Sequence, residues 1–514
     1  MLRAFKSSRA PMASRLNQYV TRQFPKSSYS TVAAGEQDVI FKNENTARIV
    51  TLNRPNKLNA LNTSIVNKII PRLLEYRASN STNAIIINSS SSKAFCAGGD
   101  VAQAAKDVIE GNPESALDFF YKEYSMNYLL SIYPKPIVSY MDGITMGGGV
   151  GLSVHAPFRV ATENTRIAMP EMDIGFFPDV GTSFFLPRMD GNLGKYLAFT
   201  GESLNGVDNL IAGFATHYVP SVRLEELTKR LGALNIPQNE LLNSFSEGKF
   251  EDISAINEKV GEYHAIVNNA IEEFTDPIPS DHKFKLSNEQ RNFVDKIFAF
   301  KNTEEIFKSL IDEIHNVEAS ETTVQFAQQL LDTLQSKSLL SLKIANELLN
   351  AGANYNNKAA ITQELIVAEN LLLNSQSNDF IEGVSKKLIE KTNAPTWKYK
   401  ELSEIPIQEI HSLFTNKSSI KYSELQDFGN GQFLNSYRHY PFNMGLPSET
   451  EIKDYITGND GSKRDYAPTR KEVLNKFTTK YHNKVGVNWK VNNVLERKTK
   501  EHEFDSQYIN WIEE

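Results

Sequence analysis

"ITMGGGVGLSVH", residues 144–155, runs three glycines in a row into a stretch of small and apolar residues. Glycine gives up chain entropy and side-chain packing, so such a run needs a chemical reason. Two phosphate-binding explanations fail. A dinucleotide fingerprint needs a glycine three residues beyond Gly149, where Leu152 stands. No Gly-Lys-Ser/Thr follows, so the run is not a Walker A loop either. A second glycine pair lies upstream in "SSKAFCAGGDV", residues 91–101. Each glycine group follows a candidate strand and precedes a candidate helix. Bare backbone there lets a ligand approach the main chain, and N–H groups at helix starts favour negative charge. One such donor from each loop would make an oxyanion hole.

Outward from these loops the pattern is α/β. "ARIVTLNRP" (47–55) reads as a strand stopped by Asn-Arg-Pro, and "NAIIINS" (83–89) and "KPIVSYMDG" (135–143) as further strands. "FRVATENTRIAMP" (158–170) reads as two short strands around a polar turn. "TSIVNKIIPRLLEYRAS" (63–79) has helical spacing, with Ile65, Ile69, Leu73 and Tyr76 on one face, Thr63 able to cap it and Pro71 inside it. After about residue 221 strand signals fade. Helical patterns follow, as in "SLLSLKIANELLNAG" (338–352) and "KAAITQELIVAENLLLN" (358–374), whose Leu and Ile stripes read as core. "NAPTW" (393–397) breaks the helical run. Strands alternating with helices predict a layered α/β domain.

The bulk numbers set limits. At 514 residues, two or three units are expected. A net charge of −7 excludes a uniformly basic nucleic-acid binder. No apolar run is long enough to predict a membrane span. The single cysteine, Cys96, excludes an intrachain disulfide framework and reads as a small buried packer. His155 and His217 read as structural, and no ligand spacing predicts a metal site. Residues 1–35 carry Arg3, Lys6, Arg9, Arg15, Arg22 and Lys26, many serines, and no acid before Glu36. That composition predicts a mitochondrial transit peptide and a matrix location.

"KAFCAGGD" and "DGITMGGGVGLSVH" together resemble the crotonase (enoyl-CoA hydratase/isomerase) superfamily. "RIAMPEMDIGFFPDVGTSFFLPR" (166–188) is similar to its 3-hydroxyisobutyryl-CoA hydrolase branch, through M-P-E followed by I-G-x-F-P-D-V-G. The resemblance runs from about Val39 to Trp397, with "TGESL" (200–204), "AGFATHYV" (212–219) and "DFIEGVSKKLIEK" (379–391) inside it. It implies a spiral of ββα turns over about 36–282, a helical region over 283–400, and a polar extension over 401–514. It implies an acyl-CoA substrate, with coenzyme A as part of that substrate and no separate cofactor. The amides of Gly99 and Gly148 would form the oxyanion hole. Glu171 would be the catalytic carboxylate and Asp179 a second catalytic acid that either tunes Glu171 or holds the substrate's 3-hydroxyl, with Glu123, Gly148, Glu171 and Asp179 all contacting substrate. Lys57 and Leu58 would neighbour the CoA nucleotide. The family often trimerises, so a homo-oligomer is one expectation.

One departure matters. Hydratases place a second catalytic glutamate where this chain has Gly151. Water addition uses two carboxylates, so hydratase activity is disfavoured and thioester hydrolysis, the branch's valine-catabolic reaction, is expected. A carboxylate serves hydrolysis either by direct attack or by activating water.

The extension points elsewhere. Residues 463–500 hold eleven Lys and Arg against three Asp and Glu, interleaved with Tyr466, Phe477, Tyr481 and Trp489. Such a segment can track a phosphate backbone and stack on bases. The long-tailed chain also resembles fungal relatives of the hydrolase that are mitochondrial ribosomal small-subunit components. That implies a second role as a ribosomal protein, with ribosomal RNA as a partner of the basic segment.

Overall fold

The computed structural model describes residues 37–236, 253–373, 378–415, 421–428, 444–462 and 464–512. The expected transit segment lies outside the described residues.

Two sheets stack side by side. The larger has the order β1-β2-β3-β5-β7-β10 and the smaller β4-β6-β8-β9. β1 (Val39–Glu44) and β2 (Ala47–Leu52) form an antiparallel hairpin. From β2 on, the larger sheet is parallel through β3 (Ala84–Ser89), β5 (Ile137–Met141), β7 (Phe158–Ala161) and β10 (His217–Tyr218). Each of three successive turns sends a second short strand to the smaller sheet: β4 (Ala94–Cys96), β6 (Ile144–Met146) and β8 (Arg166–Ala168). β9 (Leu204–Asn205) closes that sheet. The result is the expected spiral of ββα turns. Parallel strands covered on both faces read as unbroken apolar runs, which is why "AIII" in β3 is wholly buried.

The first helix, α1 (Thr63–Ala78), buries Ile65, Ile69, Leu73 and Tyr76 and carries Pro71 inside. Its cap is Asn62, whose side chain accepts the Ile65 N–H, and not Thr63. Thr63 is already helical, and an N-cap side chain serves donors two or three residues ahead of an extended residue. The second glycine pair opens α2 (Val101–Ile109), capped by Asp100, and α3 (Pro113–Ser131) follows. The triple glycine opens α4 (Gly148–Val154). Behind the spiral pack α5 (Leu339–Gly352), capped by Ser338, and α6 (Asn357–Leu373).

The extension packs on the domain. Its described part folds into α7 (Glu449–Thr457), α8 (Arg470–Lys480), α9 (Val487–Lys498) and a hairpin, β11 (Thr499–Glu501) with β12 (Ile509–Trp511). One apolar cluster runs from Val39 to Ile509. Four of the segment's cations turn inward. Lys490 pairs with Asp190 at 2.5 Å, Lys498 with Asp295 at 3.0 Å, Arg497 with Glu449, and Lys484 with Glu272. Phe477 is buried and Tyr481 donates to Glu451. Arg470, Lys471, Lys476, Lys480 and Lys500 remain exposed, while Lys463 lies outside the described residues. Charge counting cannot separate these sets, because an inward cation needs an acid from another part of the chain.

Candidate active site

The two glycine loops meet. Gly98 has φ +115° and Gly147 φ +46° with ψ −118°, conformations that only glycine adopts without strain. Gly99 forms a parallel bridge with Leu61, made by the Gly98 carbonyl and the Asp100 N–H. The Gly99 N–H therefore faces the other way, toward α4, and its nitrogen is 3.2 Å from the Cβ position of Gly148. In α4 the first i→i−4 bond is Gly151 N–H to Gly147 O, so the Gly148 N–H precedes the helical ladder. Among the described residues, neither amide meets a backbone acceptor.

Two carboxylates, Glu171 and Glu123, reach these loops, and a third, Asp179, is close enough for its charge to act on both. Glu171 opens a short 3₁₀ turn after Pro170 at the end of β8, and is 7 % exposed. Its Oε1 lies 2.8 Å from the Cβ position of Gly147, and its Oε2 has no hydrogen-bond partner. Glu123, on α3, is buried; its Oε1 occupies the space a methyl group on Gly148 would take and is unpartnered. Its Oε2 lies 3.4 Å from the Cβ position of Gly99. Asp179 accepts a 2.6 Å hydrogen bond from Tyr124 Oη. Burial pushes Asp179 up to about 7, against the opposing Tyr124 bond. Burial, then the Asp179 charge, holds Glu171 and Glu123 well above the usual carboxylate range.

The Asp179 turn is clamped from outside. Val180 has φ +56°, rare for a β-branched residue. Its carbonyl accepts from His155 Nε2 at 2.7 Å; burial lowers His155 to about 4, so the ring is neutral at pH 7 and this nitrogen donates. The N–H groups of Gly181 and Ser183 donate to Glu364 of α6 at 2.6 and 2.9 Å. Burial pushes Glu364 up to about 8. Sequence reasoning missed Glu364, Tyr124 and Asn127. A lone Glu within the apolar "ITQELIV" was the available signal for the first. Tyr124 and Asn127 share a helix face with Glu123, which was the signal for those two.

Gly151 has no room for a side chain. Its Cβ position lies 2.6 Å from Val180 Cβ and 3.0 Å from both Asn127 amide atoms. Cys96 is buried beside α4, and burial pushes its thiol up to about 12, which leaves it no thiolate at pH 7. Lys57 and Leu58 are exposed on a turn whose Leu58 carbonyl accepts from Ala97 at 3.0 Å, beside the Gly98–Gly99 loop. His217 lies outside the site, against Lys484 and Glu272.

Comparison with solved structures identifies the class. A carnitinyl-CoA dehydratase from Mycobacterium thermoresistibile superposes with a TM-score of 0.61 at 28% identity, over 76% of this chain and 99% of its own. The fold is thus that of the crotonases. The enoyl-CoA hydratase/isomerase family model matches residues 47–414, and the chain belongs to that family. Small ribosomal subunit protein mS47 of Neurospora crassa is 40% identical over 474 residues, covering 90% of this chain and 85% of the relative. The mitochondrial 3-hydroxyisobutyryl-CoA hydrolase of Xenopus laevis is 36% identical over 404 residues, covering 78% and 94%.

Proposed function

We propose that this chain is a mitochondrial acyl-CoA thioester hydrolase that cleaves 3-hydroxyisobutyryl-CoA to the free acid and coenzyme A. The observation that carries this reading is the buried Glu171 against Gly147, together with the lack of room for a side chain at Gly151. Water addition to an enoyl thioester needs a second carboxylate there, whereas hydrolysis needs one carboxylate and a place for oxyanion charge. The amides of Gly99 and Gly148 take the charge that develops on the thioester oxygen; one such donor is worth roughly 10²–10³ in turnover. Glu171 then has two routes. As a base it takes a proton from water while the water oxygen bonds to the carbonyl carbon. The intermediate collapses, the C–S bond breaks, and that proton goes to the departing sulfur. As a nucleophile it forms a mixed anhydride, releases the thiolate, and water cleaves the anhydride. The names of the vertebrate relatives support the substrate and the mitochondrial location.

The test is release of CoA from 3-hydroxyisobutyryl-CoA by the purified protein, with Glu171→Gln as control. The variant is expected to lose activity and keep its Tm, because it replaces a buried carboxyl lacking a partner at Oε2. An active Glu171→Gln enzyme would remove Glu171 from the mechanism.

A second reading stands beside the first: a component of the mitochondrial ribosomal small subunit. What favours it is the N. crassa relative of that name, whose similarity covers 90% of this chain and so reaches into the extension. Among the described residues, the exposed Arg470, Lys471, Lys476 and Lys500 are cations of the segment that could meet RNA.

A further inference from the structure

Asn127 is fully buried, and neither its Nδ2 nor its Oδ1 has a hydrogen-bond partner. An enclosed amide with both ends unmatched is costly, and an apolar residue of the same shape would cost less. Its surroundings suggest what would match it. Asn127 lies four residues after Glu123 and three after Tyr124 on α3, one turn along the same face. Glu123 reaches Gly148 and Tyr124 reaches Asp179, while both Asn127 amide atoms lie 3.0 Å from the Cβ position of Gly151. Asn127 therefore faces the point where a hydratase carries its second carboxylate. Hydratases add water at carbon 3 of the thioester, so that carboxylate attends an oxygen on carbon 3. A 3-hydroxyacyl chain carries an oxygen on the same carbon.

We propose that Asn127 takes the 3-hydroxyl of the acyl chain and so sets a preference for 3-hydroxyacyl over plain acyl thioesters; this rests on the hydrolase reading above. Its Oδ1 accepts the hydroxyl proton and its Nδ2 donates to the hydroxyl oxygen, which matches both unpaired ends at once. A neutral amide suits this position. The site already holds Glu123, Glu171 and Asp179, and a fourth carboxylate would make ionisation of Glu171 harder still.

The test is the ratio of kcat/KM for 3-hydroxyisobutyryl-CoA to that for isobutyryl-CoA, in the full chain and in Asn127→Leu. The ratio is expected to fall on the order of ten- to a hundredfold, the effect of one buried hydrogen-bonding group. Tm is expected to hold, since the amide removed pairs with no protein group. Asn127→Ala serves if the leucine variant does not fold. Equal loss on both thioesters, or an unchanged ratio, overturns the proposal. If the wild-type chain cleaves neither thioester, the hydrolase reading has failed separately. The same ratio is then read from equilibrium binding of the two thioesters by calorimetry, with the same criterion.

Discussion

At the scale of single residues, the site is a cluster of acids held together against their own charge. Glu171, Glu123 and Asp179 are all buried, and burial first, then the Asp179 charge, raises Glu171 and Glu123. Glu171 must be ionised to attack or to take a proton, so activity is expected to rise with pH through its titration. Removing the Asp179 charge takes away one of the causes that hold Glu171 high. Asp179→Asn should therefore move the rising limb of kcat/KM toward lower pH, with Tyr124 losing its anionic acceptor. A pH profile measures this directly. An unmoved limb, or one shifted to higher pH, would show that the two carboxyls do not titrate together.

At the scale of elements, α3 and α4 run side by side in matched register. Glu123 lies against Gly148, and Asn127 against Gly151, one turn further along each helix. The glycines make that approach possible, and Gly149 does the same on the strand side. A methyl group on Gly149 would overlap the Cys96 carbonyl oxygen of β4. Backbone cannot swing aside as a flexible side chain does. Alanine has the better helix propensity by up to about 1 kcal/mol, but overpacking of this kind costs about 1–3 kcal/mol. Gly149→Ala should be less stable by urea denaturation, with a fall in kcat as Gly148 moves from the Gly98–Gly99 loop. Unchanged stability would mean that β4 and α4 separate freely.

At the scale of the whole molecule, the extension divides its cations between the interior and the surface. The Arg497 side chain is buried and serves both Glu449 and Asp295; Lys498 still reaches Asp295 at 3.0 Å, so Arg497→Met would chiefly strip the buried Glu449 of its close ion pair. Breaking such a pair costs about 3–5 kcal/mol, read as a lower Tm and faster proteolysis within residues 444–512. Surface cations behave differently. Reversing Lys471, Lys476 and Lys500 to glutamate should leave Tm nearly unchanged. If the ribosomal reading holds, the same variant should leave the small subunit at low salt, because each lost phosphate contact weakens binding steeply. Undiminished co-sedimentation would count against these lysines as the anchor.

The sequence by itself determined the α/β layering and the glycine loops, and its resemblance to the crotonases supplied the spiral and the line-up of candidates. Glycine groups after strands, apolar runs such as that of β3, and the Met-Pro-Glu stretch are local patterns, and local patterns survive in one dimension. Glu171, Asp179, Glu123, Gly99 and Gly148 were named through the family resemblance those motifs carry; in the fold Glu171 and Glu123 lie against the glycine loops, and Asp179 is tied to the same helix as Glu123 through Tyr124. Tertiary structure alone decided what surrounds that site: Glu364 reaching back from α6 to Gly181 and Ser183, and Val180 and Asn127 standing against the Cβ position of Gly151. It also decided that Lys484, Lys490, Arg497 and Lys498 face inward. The reason is the same in each case. A charge or a cavity takes its meaning from partners tens to hundreds of residues away, and no periodicity along the chain records who those partners are.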